Sequence, residues 1–125
     1  MGGVALVDVP GAPPYAYTKG LHAAHGHPEL LIGGLRPEQR TSLLELAAEL
    51  VRDGERFRPG AESWKLARGY PARFRPLDPA VAARVAPQLG PDVPVLQLFW
   101  PDRAGRFPWV EGSDPAVAEA QRITA

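Results

Sequence analysis

Fifteen prolines and thirteen glycines are scattered through a chain of 125 residues, with no single tract concentrating them. Proline lacks the N–H that a helix interior or a central sheet ladder needs, and glycine and proline together punctuate regular structure. A chain cut this often folds as short elements joined by tight turns. Codon bias in a GC-rich genome would leave the same excess without structural meaning, so the elements must be argued one by one.

Pro37 to Asp53 is the clearest helix. Proline suits the first helical position, Gly54 stands where a helix terminates, and Leu43, Leu46, Ala47 and Leu50 repeat at helical spacing, with Leu44 and Val51 widening the stripe. Asp78-Pro79 and Asp114-Pro115 carry the same start signal, a capping carboxylate followed by proline, and predict two shorter helices. Before the long helix, Gly3 to Val9, Tyr15 to Leu21 and Pro28 to Gly33 read as strands of an antiparallel meander, with His22 to His27 turning the chain. Tyr70 to Leu77 reads as an edge strand, since Pro71 and Pro76 are tolerated there. Val95 to Trp100 is apolar on both faces except at Gln97, the pattern of a central, doubly covered strand. The loop Pro101 to Gly105 then predicts a hairpin returning through Arg106 to Val110. The expected fold is α+β: one domain over residues 1–125, a mainly antiparallel sheet with one long helix packed on a face and two short helices.

Composition removes several classes of function. There is no cysteine, which excludes disulfides, thiolate metal sites and thiol nucleophiles. Fourteen basic residues balance fourteen acidic ones, so no global field attracts nucleic acid or an anionic membrane. No apolar run reaches the roughly 18 residues of a membrane span, and no signal peptide opens the chain, so a cytoplasmic address is expected. The charge is uneven, however. From Val51 to Ala86 eight basic residues (Arg52, Arg56, Arg58, Lys65, Arg68, Arg73, Arg75, Arg84) stand against four acidic ones (Asp53, Glu55, Glu62, Asp78). Interleaved with Phe57, Trp64, Tyr70 and Phe74, these arginines form either a groove for phosphate or nucleic acid or a solvated strand face. The second is the commoner arrangement.

Tyr15-Ala16-Tyr17-Thr18, Gly20-Leu21, Gly26-His27-Pro28-Glu29-Leu30 and Gly34-Leu35 follow one another in an order that resembles the front half of a bacterial domain-of-unknown-function family, the one numbered forty-two sixty-two. Val95-Leu96-Gln97-Leu98, Trp100-Pro101-Asp102-Arg103 and Gly105-Arg106-Phe107-Pro108-Trp109 resemble its second signature. The likeness covers most of the chain. It implies which residues matter and leaves the reaction open.

Within these signatures Gln97 is the sharpest anomaly, because a buried amide without partners costs on the order of 1–3 kcal/mol. The Tyr17 hydroxyl, His27, a neighbouring backbone or a ligand would have to satisfy it. His27, whose ordinary pKa lies near neutrality, is the candidate acid or base, with Tyr17 as donor. Thr18, Glu29, Gln97, Trp100, Asp102, Arg103, Arg106 and Trp109 are the candidate ligand-binding residues, Arg106 as an anion clamp beside the indoles. His22, His25 and His27 with Glu29 could ligate a metal, but a ring capping the turn before Pro28 is the simpler role for His27, and no metal site is assigned. Gly33-Gly34 could admit an anion to the following helix N-terminus. The aromatic–proline bonds at Pro71, Pro101 and Pro108 are candidates for cis peptides. No phosphate loop, nucleophile elbow, dinucleotide fingerprint or zinc-protease motif is present, and no cofactor is specified.

The expected function is a small-molecule-binding pocket with His27, Tyr17 and Gln97 converging, enzymatic or not. The alternative is a protein interaction or self-association module using the aromatic hairpin. A concave convergent set supports the first and an exposed aromatic patch the second.

Overall fold

A computed structural model describes residues 3–123. The strands are β1 (Ala5–Val9), β2 (Tyr15–Lys19), β3 (Glu29–Gly33), β4 (Glu62–Ser63), β5 (Ala72–Pro76) and β6 (Val95–Phe99), and the helices α1 (Leu21–His25), α2 (Pro37–Arg52), α3 (Pro79–Val85) and α4 (Pro115–Ala120). One six-stranded sheet has the order β1-β2-β3-β6-β5-β4. Every pairing is antiparallel except that of β3 with β6, which the chain reaches by crossing over through α2, β4, β5 and α3. The fold is thus α+β with a mainly antiparallel sheet, and β6 is central, as its apolar sequence requires.

The alternation of side chains divides the core in two. On one face Ala16, Leu30, Ile32, Phe74, Leu96 and Leu98 meet Leu44, Ala47 and Val51 of α2, with Phe57 closing the cluster. Full burial of an aliphatic side chain such as Leu44 contributes roughly 1.5–3 kcal/mol, which is what binds α2 to the sheet. On the other face Tyr17, Leu31 and Val95 pack with Val85, Ala86 and Ile123. The two short helices begin as their sequences dictate: the Asp78 carboxylate accepts from the N–H groups of Ala80 and Val81, and that of Asp114 from Ala116.

Four expectations need correction. The stretch His22–His27 does not simply turn; its first residues belong to α1, whose N-terminus is capped by a side chain from β3. Residues 106–110 form no returning strand, because this segment lies across the sheet on its aromatic side chains instead of pairing with β6. β5 has neighbours on both sides, but β4 pairs only with Ala72 and Arg73, so Pro76 is still spared a ladder partner on that flank. The cis peptide among the described residues precedes Pro13, not an aromatic–proline bond. No helix among the described residues is long and apolar enough to cross a membrane.

Candidate functional site

The first candidate region is the corner where β2, α1 and β3 meet. Glu29 is buried, and its carboxylate accepts four hydrogen bonds: from Thr18 Oγ1 at 2.7 Å and from the N–H groups of Gly20 at 3.0 Å, Leu21 at 3.1 Å and His22 at 3.1 Å. Thr18 Oγ1 in turn accepts from Leu30 N at 2.9 Å. A carboxylate cap of this kind satisfies the orphan donors of a first helical turn. The role of Glu29 is therefore to start α1 and tie it to the sheet.

His27 is equally committed. Its Nε2 accepts from Phe57 N at 2.9 Å, which leaves Nδ1 to carry the proton and donate to Pro28 O at 2.8 Å. Burial pushes the imidazole below its ordinary 6.5, Arg56 adds to this, and the hydrogen bond to Pro28 opposes it. Both ring nitrogens are spent on the backbone. His22 and His25 sit on α1, and among the described residues no three His, Cys, Asp or Glu side chains gather in a way that could hold a metal ion.

Tyr17, His27 and Gln97 do not meet. Tyr17 and Gln97 occupy one row of the sheet with Leu31 between them, about 10 Å apart by two strand spacings. His27 lies on the α2 side with its ring edge-on to Phe57. The phenol of Tyr17 is pushed above its ordinary 10.0 by burial and then by Tyr15. Gln97 finds a partner that the strand sequence does not reveal: its Nε2 donates to Gln121 O at 2.7 Å. The Gln121 side chain accepts from Trp100 N at 2.9 Å and donates to Trp100 O at 2.9 Å. The two glutamines fasten the chain after α4 to the end of β6. Gly33 and Gly34 serve the same junction, since a Cβ at Gly33 would lie 2.8 Å from Ile123 and one at Gly34 3.0 Å from Ala120 O. Ala120, Ile123 and Trp100 fill the space expected for an anion, and Trp100 Nε1 donates to Gly33 O at 3.2 Å. Among the described residues no buried side-chain nitrogen or oxygen lacks a hydrogen bond.

The segment after β6 is organised by Asp102. Its Oδ1 accepts from Ala104 N and Arg106 N, both at 2.9 Å, and its Oδ2 from Asp114 N at 2.8 Å. The N–H groups of Arg106 and Asp114, and then that of Ala104, hold its carboxyl below the ordinary carboxylate value. The folded loop lays Phe107 parallel to Trp109 at 5.2 Å and Trp109 edge-on to Phe99 at 5.1 Å. From β5, Arg73 lies over Phe107 at 5.2 Å and Arg75 over Trp109 at 4.2 Å. Arg106 itself runs past Gly112 and stays outside the groove described next.

Between this loop and the chain around β4 and β5 lies an open groove of 430 Å³, with Trp64, Tyr70, Arg73, Arg103, Phe107 and Trp109 on its walls. Trp64 is 61% exposed and Trp109 38%. Of the sequence-derived site residues, Asp102, Arg103 and Trp109 line it, while Tyr17, Thr18, His27, Glu29, Gln97, Trp100 and Arg106 do not. Trp64, Tyr70, Arg73 and Phe107 were absent from that set. The signal for three of them was the interleaved arginine and aromatic run, which the fold sorts by face: Phe57 and Phe74 stack in the core at 4.5 Å, and Trp64 and Tyr70 turn to the groove. A larger depression of 720 Å³ lies beside β1 and α2, with Glu45, Glu49 and Arg52 on its rim.

The chain matches the family described as Domain of unknown function (DUF4262) over residues 2–114. No curated protein and no solved structure matches it.

Proposed function

We propose that the chain, which belongs to the DUF4262 family, is a non-enzymatic interaction module that binds through the groove between β5 and the 101–110 loop. The observation that carries this reading is the pair of exposed tryptophans set among arginines on one open surface. Tryptophan, tyrosine and arginine are the residues that dominate binding energy at protein interfaces. Contiguous exposed apolar surface rimmed by polar groups marks interaction sites, and a groove bounded by two indoles, a phenol and a phenyl ring is such a place.

The pocket expected from sequence has less support. A general acid or base must reach its proton, and the two nitrogens of His27 are held by Phe57 and Pro28. Gln97 offers its amide N–H to Gln121, and Arg106 lies apart from both. Glu29, expected to contact a ligand, has its carboxylate engaged by Thr18 and by the first turn of α1.

The test is a two-dimensional nitrogen–proton spectrum recorded with a panel of aromatic fragments of both charge signs. The expected shifts fall on the indole N–H signals of Trp64 and Trp109. Shifts gathered on the Gln97 amide, Tyr17 and His27 would restore the pocket and remove the groove, and a panel that moves neither group would remove the groove as well.

A further inference from the structure

The hydrogen-bonding capacity of the groove is lopsided, and that asymmetry selects a ligand. Both carboxylates on its walls already hold donors of the protein itself. Glu62 Oε1 accepts from Arg73 Nε at 3.0 Å and Oε2 from Trp64 Nε1 at 3.3 Å. Both oxygens of Asp102 accept backbone N–H groups. The donors are not used up. Among the described residues no acceptor engages the Arg103 guanidinium, the terminal nitrogens of Arg73 or the indole N–H of Trp109. A cationic ligand entering here would share each carboxylate oxygen with a donor of the protein. A ligand rich in acceptors would find guanidinium and indole N–H donors on the same walls, the donor chemistry that suits a carboxylate.

Resting on the reading of the groove as the binding face, we infer that it takes an acidic peptide segment with an apolar side chain. The carboxylates of that segment meet Arg103 and Arg73, and the apolar side chain meets Trp64. Three observations favour a peptide. The groove is open along the surface, whereas sites for small molecules enclose most of their ligand. Arg73 is already oriented by Glu62 and by the Phe107 ring beneath it, so little side-chain entropy is lost when it takes up a carboxylate. Trp109 already carries Phe107 and Arg75 on its ring, so of the two indoles only Trp64 has a free face, and a nucleobase could not be clasped between both.

The experiment uses the whole chain and short synthetic peptides of one length, each with a central Leu-Phe pair flanked by Glu and Asp, by Ser and Gln, or by Lys and Arg; single-stranded oligo(dT) is the fourth probe. The acidic peptide should shift the Trp64 and Trp109 indole signals and bind about tenfold or more tightly than the others. Arg103→Glu should weaken it by a similar factor with the melting temperature unchanged. Arg52→Glu, the same charge change on α2 across the sheet, should not. If the neutral or basic peptide binds the groove as tightly, or oligo(dT) binds it more tightly, the acidic segment is overturned and the groove stands. Equal losses in Arg103→Glu and Arg52→Glu would reduce the effect to net charge and overturn the assignment to Arg103. If no probe moves the two indole signals, both the inference and the reading beneath it fall.

Discussion

The Glu29 corner and the aromatic groove are built from similar materials and use them in opposite ways. In the corner every donor is matched to an acceptor inside the protein: one carboxylate takes three backbone N–H groups and a hydroxyl, and one imidazole joins two backbone groups. In the groove the two carboxylates hold the protein's own donors while part of the donors are left over, beside rings that water still reaches. Polar groups that are buried and satisfied specify a fold. Polar groups left partly unsatisfied next to exposed rings are what a partner can recognise. The residues that look most chemical in the sequence, a histidine and a glutamate in one motif, are therefore those the fold consumes.

The comparison breaks most readily in the corner. Glu29→Ala strands three backbone N–H groups and the Thr18 hydroxyl, and at 1–3 kcal/mol for a buried unsatisfied group the loss should be about 3 kcal/mol or more. A urea midpoint within error of wild type would show that the corner is not structural. At the other end of the sheet, Gln121→Ala removes the bracket on Trp100 N and O and should cost about 2 kcal/mol in chemical denaturation, with local hydrogen exchange rising after Ala120.

A pH titration sharpens the contrast further. The folded chain holds His27 below its ordinary 6.5, so as the pH falls through 6.5 the unfolded chain takes a proton that the folded one refuses. Stability should decline from there until the folded-state value is passed, and should be flat in this respect well above 6.5. In His27→Gln that decline should shrink, which a series of unfolding curves between neutral and mildly acidic pH would measure. The smallest effect belongs to the groove. Trp64→Ala should change stability by no more than about 0.5 kcal/mol, because the ring is mostly in solvent, yet it should abolish the fragment shifts.

Much of the architecture was legible because its signals are local. Asp78-Pro79 and Asp114-Pro115 start helices through their own carboxylates, and Val95 to Phe99 reads as central from its unbroken apolar run. What escaped depends on distant partners. Nothing in His22 to Gly26 announces α1, since its cap comes from Glu29 on the next strand. Gln97 is satisfied by a backbone group 24 residues away, once the chain has folded back. Gly33 and Gly34 resemble an anion cradle until the residues after α4 fill them. The groove joins a segment around Trp64 and Arg73 to one around Arg103 and Trp109, and only the second carried the family signature.

The central claim is that unspent donors and exposed indoles coincide at one surface, and collisional quenching tests it directly. Trp64 and Trp109 account for most of the tryptophan surface, Trp100 being half-buried with its N–H on Gly33. Iodide, an anion drawn to uncommitted guanidinium groups, should quench the fluorescence with a markedly steeper slope than caesium at equal ionic strength, each slope taken relative to the one the same ion gives with N-acetyltryptophanamide. Arg103→Ala should bring the two slopes closer together. Equal slopes in the wild type, or a steeper one with caesium, would contradict the account.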